Sequence, residues 1–159
     1  MRKSGKSGTR LAVGLMSGTS MDGVDAALVR ISGPAQRPRV KLLAFLTQPY
    51  PDFLREALLG IASGRSTDAK ELSELNSFLG GFFAVPVVML CAKCRVAPSR
   101  LSVIGSHGQT IYHQGSPVQE SPQGQGRDAC TFQIGEPTVI AALSGVPVVA
   151  DFRQADMAA

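Results

Sequence analysis

The chain contains no tryptophan and only 6% aromatic residues, too few stacking surfaces for a protein that reads single-stranded nucleic acid. Charge is also sparse, at 18% of residues. The net charge of +4 is local: Arg2, Lys3, Lys6 and Arg10 fall in an acid-free stretch over residues 1–10, and the remainder is balanced. A Gly/Ser/Lys-rich segment of this kind reads as a disordered basic tail, and the folded part carries no nucleic-acid surface. Cysteine is scarce, with three residues and no secretory signal before them. The apolar run over residues 11–16 is too short for a signal peptide, so the thiols are expected reduced and the protein cytoplasmic. Long hydrophobic runs are missing as well. The longest, residues 78–92, falls short of a membrane span and is interrupted by Gly80, Gly81 and Pro86. It reads as a buried helix, with no membrane partner.

Two local patterns carry less than they promise. Gly5-Lys6-Ser7 resembles the end of a phosphate-binding P-loop, but the earlier glycine is missing and the tripeptide precedes the strand it should follow. Cys91 and Cys94 form a Cys-x-x-Cys pair that suits a redox couple or half a zinc site. No second Cys/His pair has ligand spacing, and two ordinary helix-face cysteines satisfy the same pattern.

With 159 residues and 44% hydrophobic content, the chain can bury one sizeable core. The most informative stretch is Leu11-Ala-Val-Gly-Leu-Met-Ser-Gly-Thr-Ser-Met-Asp-Gly-Val-Asp25 and the apolar residues after it. Apolar runs over residues 11–15 and 24–31 flank a loop of small polar residues, which predicts two strands joined by a hairpin. Ser17, Gly18, Thr19, Ser20 and Gly23 offer hydroxyls and open backbone amides, the equipment that holds phosphate oxygens. Asp22 and Asp25 repel phosphate unless a divalent cation lies between. A plain hairpin with a polar turn satisfies the same composition.

A third strand is predicted over residues 40–47. Helices follow over 53–62, capped by Asp52, and from Ser66, Thr67 or Asp68 toward Cys94, with Pro86 kinking or splitting the second. A strand over 101–105 follows a helix rather than a hairpin, which predicts parallel pairing with the first strand. Residues 114–128 read as a Gly/Pro/Gln loop. A strand over 129–134, a short helix over 137–143 and a last strand over 146–152 complete the order β-β-β-α-α-β-β-α-β. The expected class is α/β with a mixed sheet, incomplete at its C-terminus.

Further polar clusters fall at strand ends, where α/β sheets gather ligand groups. Gly105-Ser106-His107-Gly108-Gln109-Thr110 is read as a turn of donors and acceptors suited to a sugar or phosphate. Glu136 precedes a helix start, where it serves the helix dipole or binds a ligand hydroxyl. Asp151-Phe-Arg-Gln-Ala-Asp156 sets two carboxylates and a guanidinium after the last strand. Either carboxylate can take a proton, and Arg153 can hold an anion. Alternatively, Asp151 caps a turn and pairs with Arg153.

Met16-Ser-Gly-Thr-Ser-Met-Asp-Gly-Val-Asp25, Gly105-Ser-His-Gly-Gln-Thr-Ile-Tyr-His113, Phe132-Gln-Ile-Gly135 and Val148-Val-Ala-Asp-Phe-Arg153 together resemble the 1,6-anhydro-N-acetylmuramic acid kinase family. The motifs run in the family's order from Leu11 to the end. The resemblance implies the N-terminal lobe, residues 11–159, of a two-lobed actin-like, ribonuclease-H-like sugar kinase. The family's proteins are much longer, so a fragment that does not turn over alone is expected. The implied reaction uses ATP and Mg²⁺ to open and phosphorylate 1,6-anhydro-N-acetylmuramic acid, a small sugar, during cell-wall recycling. By this resemblance Gly18, Thr19, Ser20, Met21, Asp22, Gly23, Val24 and Asp25 bind the nucleotide, with Asp22 at the metal. His107, Gln109, Thr110, Glu136 and Arg153 bind sugar, and Asp156 is the base, with Asp151 as runner-up. A homodimer is implied as well. A non-catalytic carbohydrate- or nucleotide-binding remnant, or another sugar kinase of the superfamily, would share these features.

Overall fold

In the computed structural model, residues 8–116 and 129–159 are described; residues 1–7 of the basic tail and most of the Gly/Pro/Gln loop lie outside them, and Arg10, expected in that tail, instead begins the first strand by pairing with Ile31. The hairpin is present. β1 (Arg10–Ser17) and β2 (Gly23–Ser32) pair antiparallel, and β3 (Arg39–Pro49) adds to β2 in the same sense. α1 (Asp52–Ala62) and α2 (Ala69–Cys94) follow, then a 3-10 turn over Pro98–Arg100. β4 (Leu101–Gln114) joins β1 in parallel, as its helical crossover requires. β5 (Cys130–Ile134), α3 (Pro137–Ser144), β6 (Val148–Val149) and α4 (Phe152–Ala158) complete the described elements. The mixed sheet runs β3-β2-β1-β4-β5, with β6 parallel to the early part of β4.

Alternation along the strands builds the core. Val13, Leu15, Val24, Ala26 and Leu28 are buried, while Gly14, Met16 and Asp25 between them are exposed. The buried set packs in one cluster with Leu54 and Leu58 of α1 and Leu79, Phe83, Val87 and Leu90 of α2. α2 begins on Asp68, whose carboxylate accepts the Glu71 N–H, and runs unbroken through Pro86. Starting at Ala69, it is longer than the apolar run alone, and by length and composition it could cross a membrane. Its inner face is nonetheless buried in the core, with Phe78, Val85, Val88 and Met89 on the outer face. Gly80 lets α3 approach: a Cβ there would lie 2.6 Å from the Glu136 carbonyl oxygen.

Four local expectations are corrected. Asp52 does not cap α1; Pro51 occupies that position, and Asp52 is the acidic residue of the first turn, favourable to the helix dipole. The segment 105–110 is no turn. β4 continues through it because β5 supplies new partners from Gln109 to Gln114, and the irregularity is absorbed as a register shift beside Gly108 at φ 76°. The last strand is two residues long rather than seven, since Asp151 adopts φ 61° and starts α4. Phe152, expected in that strand, instead packs its ring on Gly105, where no side chain stands in its way.

Candidate functional site

A cavity of about 510 Å³ opens between the first half of α2, the middle of β4 and the β5–α3 turn, within the rough 300–1,000 Å³ range of small-molecule sites. Its walls mix apolar Leu72, Phe132 and Ile134 with polar Asn76, Ser106, His107, Glu136 and Asp151. Three residues expected from sequence, His107, Glu136 and Asp151, therefore meet at one cavity.

Glu136 is fixed by local and distant bonds. As the N-cap of α3, its Oε1 accepts from the Thr138 N–H and hydroxyl at 3.1 and 2.6 Å. Asn76 Nδ2 donates to Oε2 at 3.0 Å. The Thr138 hydroxyl, aided by the Thr138 amide and Asn76, holds this carboxyl below its ordinary range. Asn76 had no sequence signal, yet it clamps the whole turn. Its Oδ1 accepts the Gly135 N–H at 2.7 Å and its carbonyl accepts the Glu136 N–H at 3.0 Å.

On the other wall, His107 Nδ1 lies 3.1 Å from the Gly108 carbonyl, and Arg153 Nε donates to Nε2 at 3.4 Å. Those two contacts place the ring proton on Nδ1. Arg153 thus backs the histidine. Asp151 stands on the cavity wall in a left-handed conformation, strain of the sort concentrated at functional sites. Asp156 lies near the end of α4, exposed, and is not among the residues lining the cavity.

Gln109 and Thr110, expected at the sugar, are not among the residues lining this cavity. Both are buried, and the Gln109 side chain faces the hairpin. Its Nε2 donates to the Gly18 and Thr110 carbonyls at 2.8 and 2.9 Å. The Ser17 hydroxyl sits 2.7 Å from Gln109 Oε1 and 2.6 Å from the Gly23 carbonyl, so its single proton serves both. Tyr50 Oη donates to Ser17 Oγ at 2.9 Å, and burial pushes the tyrosine hydroxyl well above its ordinary pKa. The network pins the hairpin loop from three strands.

Within that loop, Thr19, Ser20 and Asp22 are exposed and Gly18 is half-buried, whereas the side chains of Met21 and Val24 belong to the core. A Cβ on Gly18 would meet nothing within 4 Å, so its backbone faces open space. Ser20 Oγ donates to Asp22 at 2.8 Å, and Asp25 accepts from Thr47 at 2.5 Å on the neighbouring strand. Among the described residues no three His, Cys, Asp or Glu side chains cluster as a ready metal cage. A single loop carboxylate is still what magnesium asks of a protein when phosphates and water fill its other positions; Asp22 fits that role.

The anhydro-N-acetylmuramic acid kinase family model matches residues 10–159. Relatives bearing that name include the protein of Caldanaerobacter subterraneus subsp. tengcongensis, 40% identical over 94% of this chain and 37% of its own length. The Vibrio vulnificus protein is 41% identical over 93% of this chain and 36% of its own. The Gloeobacter violaceus protein is 43% identical over 94% and 38%. The chain thus spans little more than a third of the curated relatives it matches. A solved CasPhi-2 (Cas12j) chain bound to crRNA and phosphorothioate-DNA aligns at 13% identity, over 94% of this chain and 24% of that one, with a TM-score of 0.22, too low to bear on fold or function. The match to the kinases reaches from the first strand to the final residue, and the chain belongs to the anhydro-N-acetylmuramic acid kinase family.

Proposed function

We propose that this chain supplies the sugar pocket and phosphate-facing hairpin of an ATP-dependent kinase. That enzyme opens 1,6-anhydro-N-acetylmuramic acid with water and yields N-acetylmuramic acid 6-phosphate in cell-wall recycling. The observation that carries this reading is that β4 runs from the cavity wall to the hairpin loop. Ser106 and His107 line the cavity, and just beyond them Gly108 takes a left-handed conformation and Gln109 grips the loop at Gly18. A sugar and a terminal phosphate held by one strand start close together, which is most of what phosphoryl transfer asks of a protein.

In this reading the loop backbone from Gly18 to Ser20 cradles the phosphates. Met21, Gly23 and Val24 shape the loop from inside, and Asp22 holds magnesium, whose charge offsets that of the phosphates. Asp25 braces the loop through Thr47. Glu136 accepts from a sugar hydroxyl or amide, and His107, backed by Arg153, lines the opposite wall. A carboxylate takes a proton from water as its oxygen attacks the anomeric carbon. The C1–O6 bond breaks, O6 receives the γ-phosphoryl group, and ADP leaves. Asp156 is assigned as that base from its place in the Asp-Phe-Arg-x-x-Asp motif, with Asp151, on the cavity wall, as the competing candidate.

The same reading makes the chain the N-terminal lobe of a two-lobed, ribonuclease-H-like kinase. The protein is then cytoplasmic and homodimeric, with no nucleic-acid or membrane partner. The relatives' extra length leaves room for a second lobe over the adenine, so this lobe alone should turn over poorly. The experiment is ADP release and phosphosugar formation by the full-length protein carrying this chain. Sugar-dependent ADP formation is expected; ATP hydrolysis indifferent to the sugar would overturn the reading.

A further inference from the structure

One side chain in the cavity is unexplained by the fold. Ser106 is 1% exposed, yet its hydroxyl has no hydrogen-bond partner among the described residues. It lies on the cavity wall, paired in register with Leu15 and two residues from Ile104, itself fully buried. Leaving a buried hydroxyl unpaired costs stability, and alanine at this position would avoid the cost with little loss of packing. The fold alone gains nothing from serine here.

The chemistry of the walls indicates what the hydroxyl can do. Glu136 and Asp151, when ionised, only accept hydrogen bonds, so they select ligand donors. Asn76 spends its oxygen on Gly135 and a donor on Glu136. The Arg153 contact occupies His107 Nε2, and Nδ1 faces the Gly108 carbonyl. Ser73 and Gln133 bring neutral donors of their own to the lining, and the Ser106 hydroxyl, which rotates freely, adds the one that is fully buried and unpaired. We infer that Ser106 Oγ–H donates to an oxygen acceptor of a bound sugar, a hydroxyl or acetal oxygen, and is a specificity residue for oxygen-rich rings. The inference rests on the sugar-pocket reading above.

The test combines two measurements on the full-length protein carrying this chain: thermal midpoint without ligand, and calorimetric titration with 1,6-anhydro-N-acetylmuramic acid. Ser106→Ala should leave the ligand-free midpoint equal or higher while weakening sugar binding roughly tenfold. Ser106→Cys keeps the shape but has a weaker donor, so its affinity should fall between the two. A midpoint several degrees lower in Ser106→Ala would mean the hydroxyl serves the fold, and the inference falls. Equal sugar affinity in wild type and Ser106→Ala also overturns it, leaving the pocket assignment intact. A wild-type protein that binds no sugar defeats both.

Discussion

Removing the Gln109 amide should loosen the hairpin loop and much of the fold with it. In Gln109→Ala the Gly18 and Thr110 carbonyls lose the amide N–H groups, Gly18 keeping only the long bond from the Met21 N–H at 3.3 Å, and Ser17 loses one of two acceptors. The site is fully buried, so water does not readily replace them. At about 1 kcal/mol for each lost hydrogen bond, the bonds account for roughly 3 kcal/mol. The space left by the side chain adds roughly 1–2 kcal/mol. Together these take a large share of a typical domain stability of about 5–15 kcal/mol. At roughly 2–4 °C per kcal/mol, the midpoint should drop by roughly 10–15 °C. Thermal denaturation followed by circular dichroism measures it directly, and Gln109→Met, similar in volume but without an NH₂ donor or a charge, separates hydrogen bonding from packing. A Gln109→Ala midpoint within about 2 °C of wild type would refute the claim that this residue ties β4 to the loop.

Gly18→Val should fold normally, since its Cβ meets nothing within 4 Å, but should bind ATP much more weakly because the branched side chain fills the space the phosphates need; unchanged affinity by calorimetry would remove the loop from the nucleotide site. In the full-length protein, Asp156→Asn should abolish phosphosugar formation, by ~10²–10⁴-fold or more, with ATP affinity near normal, and Asp151→Asn should be milder; the reverse ranking of kcat values would move the base to the cavity wall. Glu136 has its pKa lowered from 4.5 in the folded chain, so its stabilisation is present above that value and is lost as pH falls through the lowered one. The midpoint gap between wild type and Glu136→Gln should therefore narrow well below pH 4.5, and a gap constant with pH would contradict the capping account.

The hairpin was legible because its signal is local: apolar alternation interrupted by Gly, Ser, Thr and Asp. The start of α2 was legible to within Ser66, Thr67 or Asp68, and the parallel pairing of β4 with β1 from its helical crossover. What escaped depends on contacts distant in sequence. Asn76 looks like any polar residue in an amphipathic stretch, and its role exists only because Gly80 brings the Gly135–Glu136 turn against α2. Gln109 reads as a ligand group in a polar motif until β5 prolongs β4 and buries it. Ser106 reads only as one hydroxyl of a polar cluster, and what sets it apart, a buried hydroxyl left unpaired, exists only once the sheet forms. α4 was hidden because a non-glycine residue, Asp151, takes a left-handed conformation that composition does not announce.

The central claim is that one lobe presents two adjoining sites, sugar in the α2–β4–β5 cavity and phosphate at the β1–β2 loop. Amide chemical-shift mapping on the ¹⁵N-labelled chain tests it most directly, with 1,6-anhydro-N-acetylmuramic acid and magnesium ATP titrated separately. The sugar should move the amides of Asn76, Ser106, His107, Gly135 and Glu136, and the nucleotide those of Gly18, Thr19, Ser20 and Asp22. Sugar-induced shifts that spare the cavity, or nucleotide shifts that spare the loop, would contradict it.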